Sequence, residues 1–225
     1  METELARTVA GIMVLSFLCF SCSGKKPEKR DPVREVTPAL PGHDLRPVIV
    51  AYGNSLTAGQ GVHPDMNYPA KLQAKLDAAG YRYRVVNAGV SGDTSSQGLN
   101  RVQSVVALQP AIVIVEFGAN DGLRGMPAET TSQNLAAIVS RLQSSGATVI
   151  LAGMQIPPNY GPQYTSAFRR VFPDVAKRYK VALIPFFLEG VGGRQELNQD
   201  DGIHPTAEGY DVVVENVWKV LKPLL

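Results

Sequence analysis

Cysteine is nearly absent from this chain of 225 residues: Cys19 and Cys22 are the two, both close to the N-terminus. That excludes a disulfide-stapled scaffold and leaves everything after residue 22 without a thiol nucleophile. With three histidines, His43, His63 and His204, there is little material for a zinc site. A charge excess of one sign is missing too. The 22 Lys+Arg stand against 20 Asp+Glu, a formal net charge of +2, so neither a polyanion-binding surface nor a nucleic-acid partner is expected. The apolar run 9–20 falls short of the roughly 20 residues a membrane-spanning helix needs. What is present is a hydrophobic fraction of 44% and a charged fraction of 19%, a mixture that can bury the core of one domain.

The run 9–20 follows Arg7 and has the length of a signal-peptide core. It leads into Ser21-Cys22-Ser23-Gly24, which resembles the lipobox of bacterial lipoproteins, where the cysteine is lipidated and becomes the new N-terminus. Cys19 stands where leucine is usual, and Glu2 and Glu4 oppose Arg7. Residues 1–22 are therefore expected to be a signal peptide ending at a lipidated Cys22. The protein would then be exported and anchored to a membrane, facing the periplasm or cell surface. Alternatives are a soluble secreted or periplasmic protein, or an uncleaved anchor. Residues 23–46 mix Pro27, Pro32, Pro38 and Pro41 with Lys25, Lys26, Lys29, Arg30 and Arg34. Proline removes donors and mixed charge resists burial, so this stretch reads as an extended linker. The domain proper is expected over 47–225.

From residue 48 the pattern alternates. Apolar, β-branched runs at 48–52, 111–117, 147–152 and 181–186, with a weaker one at 83–87, read as strands buried on both faces of a parallel sheet. Helical spacing separates them over 70–79, 99–108, 131–144, 164–179 (with a kink expected at Pro173) and 206–221. Five strand–helix alternations predict a doubly wound α/β sandwich. Trp218 and the stripe of the last helix read as core, and Tyr81-Arg82-Tyr83-Arg84 as a strand entry with alternating faces.

Ligands in such folds bind beyond the carboxyl ends of the strands. Four polar, glycine-rich segments fall there: Gly53-Asn54-Ser55-Leu56-Thr57-Ala58-Gly59, Asn87-Ala88-Gly89-Val90-Ser91-Gly92-Asp93-Thr94, Gly118-Ala119-Asn120-Asp121-Gly122 and Asp200-Asp201-Gly202-Ile203-His204-Pro205. An acyl-transfer site needs a nucleophile, a base, something to orient the base and donors for an oxyanion. Ser55 follows a strand and opens a helix, which suits a nucleophile and equally a helix N-cap. His43 lies in the linker and His63 in a loop beside Asp65, so His204 is the base of choice. Asp201, three residues earlier, is spaced to hold one ring nitrogen, although an Asx-turn explains that spacing as well. Gly92 can offer a backbone N–H and Asn120 a side-chain amide; alone, each is also ordinary turn chemistry.

Taken together and in this order, the four segments resemble the SGNH hydrolase family, also called GDSL esterases or lipases, named for a Ser, a Gly, an Asn and a His in separate blocks. The residues concerned are Ser55, Gly92, Asn120 and His204, and the likeness extends over most of 47–225. Asn-Asp-Gly-Leu-Arg-Gly, Pro-Pro-Asn-Tyr-Gly and Asp-Asp-Gly-Ile-His-Pro are similar to the bacterial thioesterase, lysophospholipase and arylesterase branch. The resemblance implies a three-layer α/β/α sandwich on a five-stranded parallel sheet of flavodoxin-like order. It also implies Asp201 as the third triad member. The oxyanion hole would be formed by Ser55, Gly92 and Asn120. The activity implied is that of a serine esterase, a monomer without metal or organic cofactor, acting through an acyl-enzyme on Ser55. Its substrates would be small carboxylic esters and, beyond them, acyl thioesters or lysophospholipids.

A carbohydrate acetylesterase of the same family is the alternative within enzymes. A catalytically idle lipid- or glycan-binding module is the alternative outside them. Leu123, Met126, Ile156 and Pro157 are expected to touch the acyl chain. Gly122-Leu123-Arg124-Gly125 reads as a mobile flap hinged at its glycines, with Arg124 facing substrate or solvent. One departure stands out: the first block usually reads Gly-Asp-Ser, and here position 54 is Asn. The swap removes a charge and adds a donor, which leaves the hydrogen bonding of the Ser55 turn open.

Overall fold

The structure, a computed structural model, describes residues 44–225. The expected signal peptide, Cys22 and the expected linker as far as residue 43 lie outside the described residues. In chain order the elements are β1 (Val48–Gly53), α1 (Ser55–Ala58), α2 (Tyr68–Ala78), β2 (Arg84–Gly89), α3 (Ser95–Val106) and β3 (Ile112–Glu116), followed by α4 (Ala119–Leu123), α5 (Ala128–Ser144), β4 (Thr148–Ala152), α6 (Pro162–Tyr179), β5 (Ala182–Ile184) and α7 (Ala207–Leu221). The five strands form one parallel sheet in the order β2-β1-β3-β4-β5.

β1 and β3 are buried along their whole length, as continuous Val/Ile runs require when helices cover both faces. Helix α2 packs with α7, while α3, α5 and α6 pack side by side. Each offers an apolar stripe to the core, such as Leu135, Ile138, Val139 and Leu142 on α5. Burying one such side chain stabilises the fold by about 1.5–3 kcal/mol. Trp218 is half-buried against the Tyr81 ring.

Two features of the sheet place the site. The order reverses direction at β1, whose neighbours are β2 on one side and β3 on the other, so the connections leave to opposite faces and a crevice opens. The register also sets Gly53 opposite both Gly89 and Glu116. Three strands therefore end level, and the segments carrying Ser55, Gly92 and Asn120 leave the sheet from one edge.

Several helices begin earlier than their apolar spacing predicts. Helix α3 starts at Ser95 rather than 99, through Ser95-Ser96-Gln97-Gly98, residues that do not favour helix on their own. Tertiary bonding fixes this turn: the Ser95 N–H donates to the buried Asp121 carboxylate at 2.8 Å, and its hydroxyl donates to the other oxygen. The larger correction is α4. The segment expected as a flap begins inside this helix, and Gly122 is buried against Ile156 and Phe168 with its N–H bonded to the Gly118 carbonyl at 2.8 Å. It cannot act as a hinge there.

Candidate active site

The Ser55 turn is built from its neighbours. Asn54 is buried and caps α1, its Oδ1 accepting from the Leu56 N–H at 2.9 Å. The amide Nδ2 of Asn54 donates to Glu116 Oε1 at 2.9 Å, while its backbone N–H donates to Oε2 at 3.2 Å. The Thr57 hydroxyl donates to the same Oε2 at 2.8 Å. The turn between β1 and α1 is thus clamped to the last residue of β3. Glu116 has no exposed surface, and burial pushes its carboxyl up to about 8 against the pull of the Thr57 and Asn54 donors. Asn54 meets Glu116 with two donors, its amide and its backbone N–H, where an aspartate would keep the backbone donor alone and set a second carboxyl against the buried one.

Ser55 is 5% exposed, and its Oγ lies 2.8 Å from His204 Nε2. The other ring nitrogen, Nδ1, lies 2.6 Å from Asp201 Oδ2. Asp201 Oδ1 in turn accepts the Ile203 and His204 N–H groups, each at 3.0 Å. Burial opposes the Asp201 charge, but the His204 ring and these two N–H groups outweigh it and hold the carboxyl below its usual range. With Nδ1–H donated to a carboxylate, the neutral imidazole presents Nε2 as an acceptor to the Ser55 hydroxyl. The Asx-turn and the pairing of carboxylate with ring are therefore both present: one oxygen of Asp201 makes the turn and the other holds the histidine.

Gly92 has φ +85, a conformation open to glycine at no steric cost. Asn120 Nδ2 donates one hydrogen to the Asp93 carbonyl at 2.9 Å, which fixes its amide and leaves the second hydrogen free. The Ser55 N–H opens α1, where no intrahelical acceptor is in reach. Behind these donors Arg101 joins the ends of β1 and β2 to the loop that follows β2. It donates to the Gly53 and Ala88 carbonyls, each at 2.8 Å, and pairs with Asp93 at 2.6 Å, over the Tyr52 ring. Arg124, expected to face substrate or solvent, donates to the Gly92 carbonyl at 3.0 Å.

Beside Ser55 and His204 opens a cavity of about 570 Å³, with Leu123, Met154, Ile156, Phe186, Leu188 and Ile203 among its walls. Its lining also includes Gly92, Asn120 and Pro157 and holds no Lys, Arg, Asp or Glu. Met126 is not in the lining; its carbonyl accepts the Tyr164 hydroxyl at 2.6 Å. His63 sits exposed beside Asp65 and is not brought to the site. Sequence reasoning overlooked Glu116, Arg101 and the wall residues Met154, Phe186, Leu188 and Ile203. The first could have been noticed as the one charged residue in the otherwise apolar run 111–117.

An alcohol, an imidazole and a carboxylate bonded in series at the carboxyl edge of a parallel sheet define the serine-hydrolase class. Comparison with known proteins agrees. Residues 51–212 match the GDSL-like Lipase/Acylhydrolase family. Over 178 residues the chain is 49% identical to Esterase TesA of Pseudomonas aeruginosa, covering 79% of this chain and 89% of that one. It is 38% identical to the thioesterase 1/protease 1/lysophospholipase L1 of Escherichia coli K12, over 79% and 84% of the two chains. Among solved structures, TesA matches with a TM-score of 0.77 at 49% identity, covering 79% of this chain and 99% of that one. The psychrotrophic esterase EstA from Pseudoalteromonas sp., solved with monoethylphosphonate as inhibitor, matches with 0.75 at 32% identity, over 79% and 97%. The chain belongs to the GDSL-like lipase/acylhydrolase family and is an ester hydrolase.

Proposed function

We propose that the ester hydrolysis runs through an acyl-enzyme on Ser55. Its Oγ attacks the substrate carbonyl carbon as its proton passes to His204 Nε2, and Asp201 orients the ring and stabilises the imidazolium. The N–H groups of Ser55 and Gly92 and the free Asn120 amide hydrogen receive the oxyanion. His204 then gives its proton to the departing alkoxide or thiolate. Water enters by the reverse sequence and frees the carboxylic acid. The observation that carries this reading is the pair of contacts at 2.8 and 2.6 Å that link Ser55, His204 and Asp201.

The substrate side rests on the cavity. Apolar walls without charged groups suit the acyl chain of an ester, and relatives named esterase, arylesterase and thioesterase/lysophospholipase support fatty acyl esters, thioesters and lysophospholipids over acetylated glycans. The test is a small fluorophosphonate alongside a chromogenic short-acyl ester. Wild type is expected to label and turn over, and Ser55→Ala to do neither. Full turnover by Ser55→Ala would remove Ser55 from the reaction, whereas failure of the wild type to label would favour an idle binding module.

The same reading includes export. Residues 1–22 act as a signal peptide, Cys22 carries the lipid and 23–46 space the domain from the membrane. Among the described residues no helix is long and apolar enough to cross a membrane. Palmitate incorporation that persists in Cys22→Ala would overturn the assignment of the anchor.

A further inference from the structure

The contact between Ser55 and His204 joins two segments 149 residues apart, and one residue with no part in the chemistry bonds to His204 directly and to Ser55 through Gln60. Gln199 stands two positions before Asp201. Its Nε2 donates to the Pro205 carbonyl at 3.0 Å and to the Gln60 carbonyl at 2.7 Å. Its backbone N–H donates to the His204 carbonyl at 2.8 Å, and its own carbonyl accepts from Gly202 at 2.8 Å. On the other side, the Gln60 N–H donates to the Ser55 carbonyl at 3.1 Å.

These bonds close a ring. From the Ser55 carbonyl it runs through Gln60 to the Gln199 amide, on to the His204 carbonyl, and back across the cleft through His204 Nε2 to Ser55 Oγ. The Gln199 amide is the link in that ring made by a side chain outside the reacting pair. Space has been left for it: a Cβ at Gly61 would fall 1.9 Å from Gln199 Oε1. Neighbouring Asn198 anchors its own amide elsewhere, on the Val191 and Arg194 carbonyls at 2.7 Å each. The bond from Gln199 to Gln60 is therefore what ties the acid–base loop to the exit of the nucleophile helix.

We propose that Gln199 is a positioning residue that sets the Ser55–His204 separation by bonding the 199–205 loop to Gln60. The proposal rests on the Ser55 reading above. Proton transfer demands a heavy-atom separation of about 2.6–3.2 Å, and a misplacement of about 1 Å can cost about 10²-fold in rate. Loss of the amide donor should therefore reduce the rate constants and leave acyl binding alone.

The test compares Gln199→Met, of similar length without donors, and Gln199→Asn, which keeps the amide but falls short of Gln60. Both are assayed well below their melting temperatures. Expected are losses of about 10- to 10²-fold in the second-order labelling rate with a small fluorophosphonate and in kcat, with KM changed by less than about twofold. Either variant that melts cooperatively decides the matter. Labelling at the wild-type rate in a folded variant would overturn the proposal and leave Gln199 as a contributor to stability alone. Failure of the underlying reading looks different, since Ser55→Ala would then go on reacting whatever happens at residue 199.

Discussion

Asn54 and Glu116 show how much one atom exchange can matter. The carboxyl of Glu116 is surrounded by donors from Asn54 and Thr57 and sealed from solvent. Its carboxyl is raised from 4.5 to about 8 by burial. The folded chain thus holds this proton more tightly than the unfolded chain does. The stabilisation is complete below about 4.5 and is lost as pH rises through about 8. Thermal melts from pH 5 to 9 should show the melting temperature of Glu116→Gln improving relative to wild type as pH increases; a difference independent of pH would contradict this. Asn120 offers a second check. Its amide has one hydrogen tied to Asp93; with the other receiving the oxyanion as proposed above, Asn120→Ala should lower kcat by about 10²–10³-fold, or about 2.7–4 kcal/mol, with little change in KM. Neither role could be read from the residue alone: an Asn in Asn-Asp-Gly is ordinary turn chemistry, and a Glu at the end of an apolar run acquires its meaning when Asn54 is folded against it.

Among the elements, the strands were the most legible part, because β-branched runs buried on both faces leave an unbroken apolar signature, as in 111–117. Helix α4 was hidden because Ala-Asn-Asp-Gly-Leu favours turns by composition. It is set in place by buried contacts with distant residues: Asp121 accepts from Ser95, and Gly122 lies against Phe168. Once that helix exists, Leu123 reaches the cavity and Met126 does not. Arg101 belongs to this scale as well, since it joins the ends of β1 and β2 to the loop carrying Gly92. Arg101→Met would leave the buried Asp93 without its partner. Urea unfolding should register a loss of about 3–5 kcal/mol, part of it regained in the double variant with Asp93→Asn. Additive losses in the two single variants would show that the pair is not coupled.

At the scale of the whole molecule, the chain order Ser55, Gly92, Asn120, Asp201, His204 follows from the topology. Three of the blocks leave strands that end level at the point where the sheet order reverses, and the fourth returns through the loop that precedes α7. That convergence was legible from three blocks after strands and a fourth before the last helix, while the cavity was legible in part, through Leu123, Ile156 and Pro157. Its walls come from the ends of β4 and β5 and from the loop holding Ile203, segments whose apolar residues look like ordinary core until the fold places them at an opening. The cavity makes a quantitative prediction. Each methylene taken from water contributes about 0.8 kcal/mol, so kcat/KM on a series of straight-chain esters should climb by about fourfold per carbon beyond acetyl until the walls are filled. A flat series, or a preference for acetylated glycans, would point to a different acyl site.

The absence of charged side chains from that lining bears on the end of the catalytic cycle as much as on its start. Hydrolysis turns an uncharged guest into an anion, and no lysine or arginine along the walls waits to retain it. On the acyl-site reading proposed above, the freed chain meets no cationic side chain along these walls, so its retention along them rests on apolar contact alone.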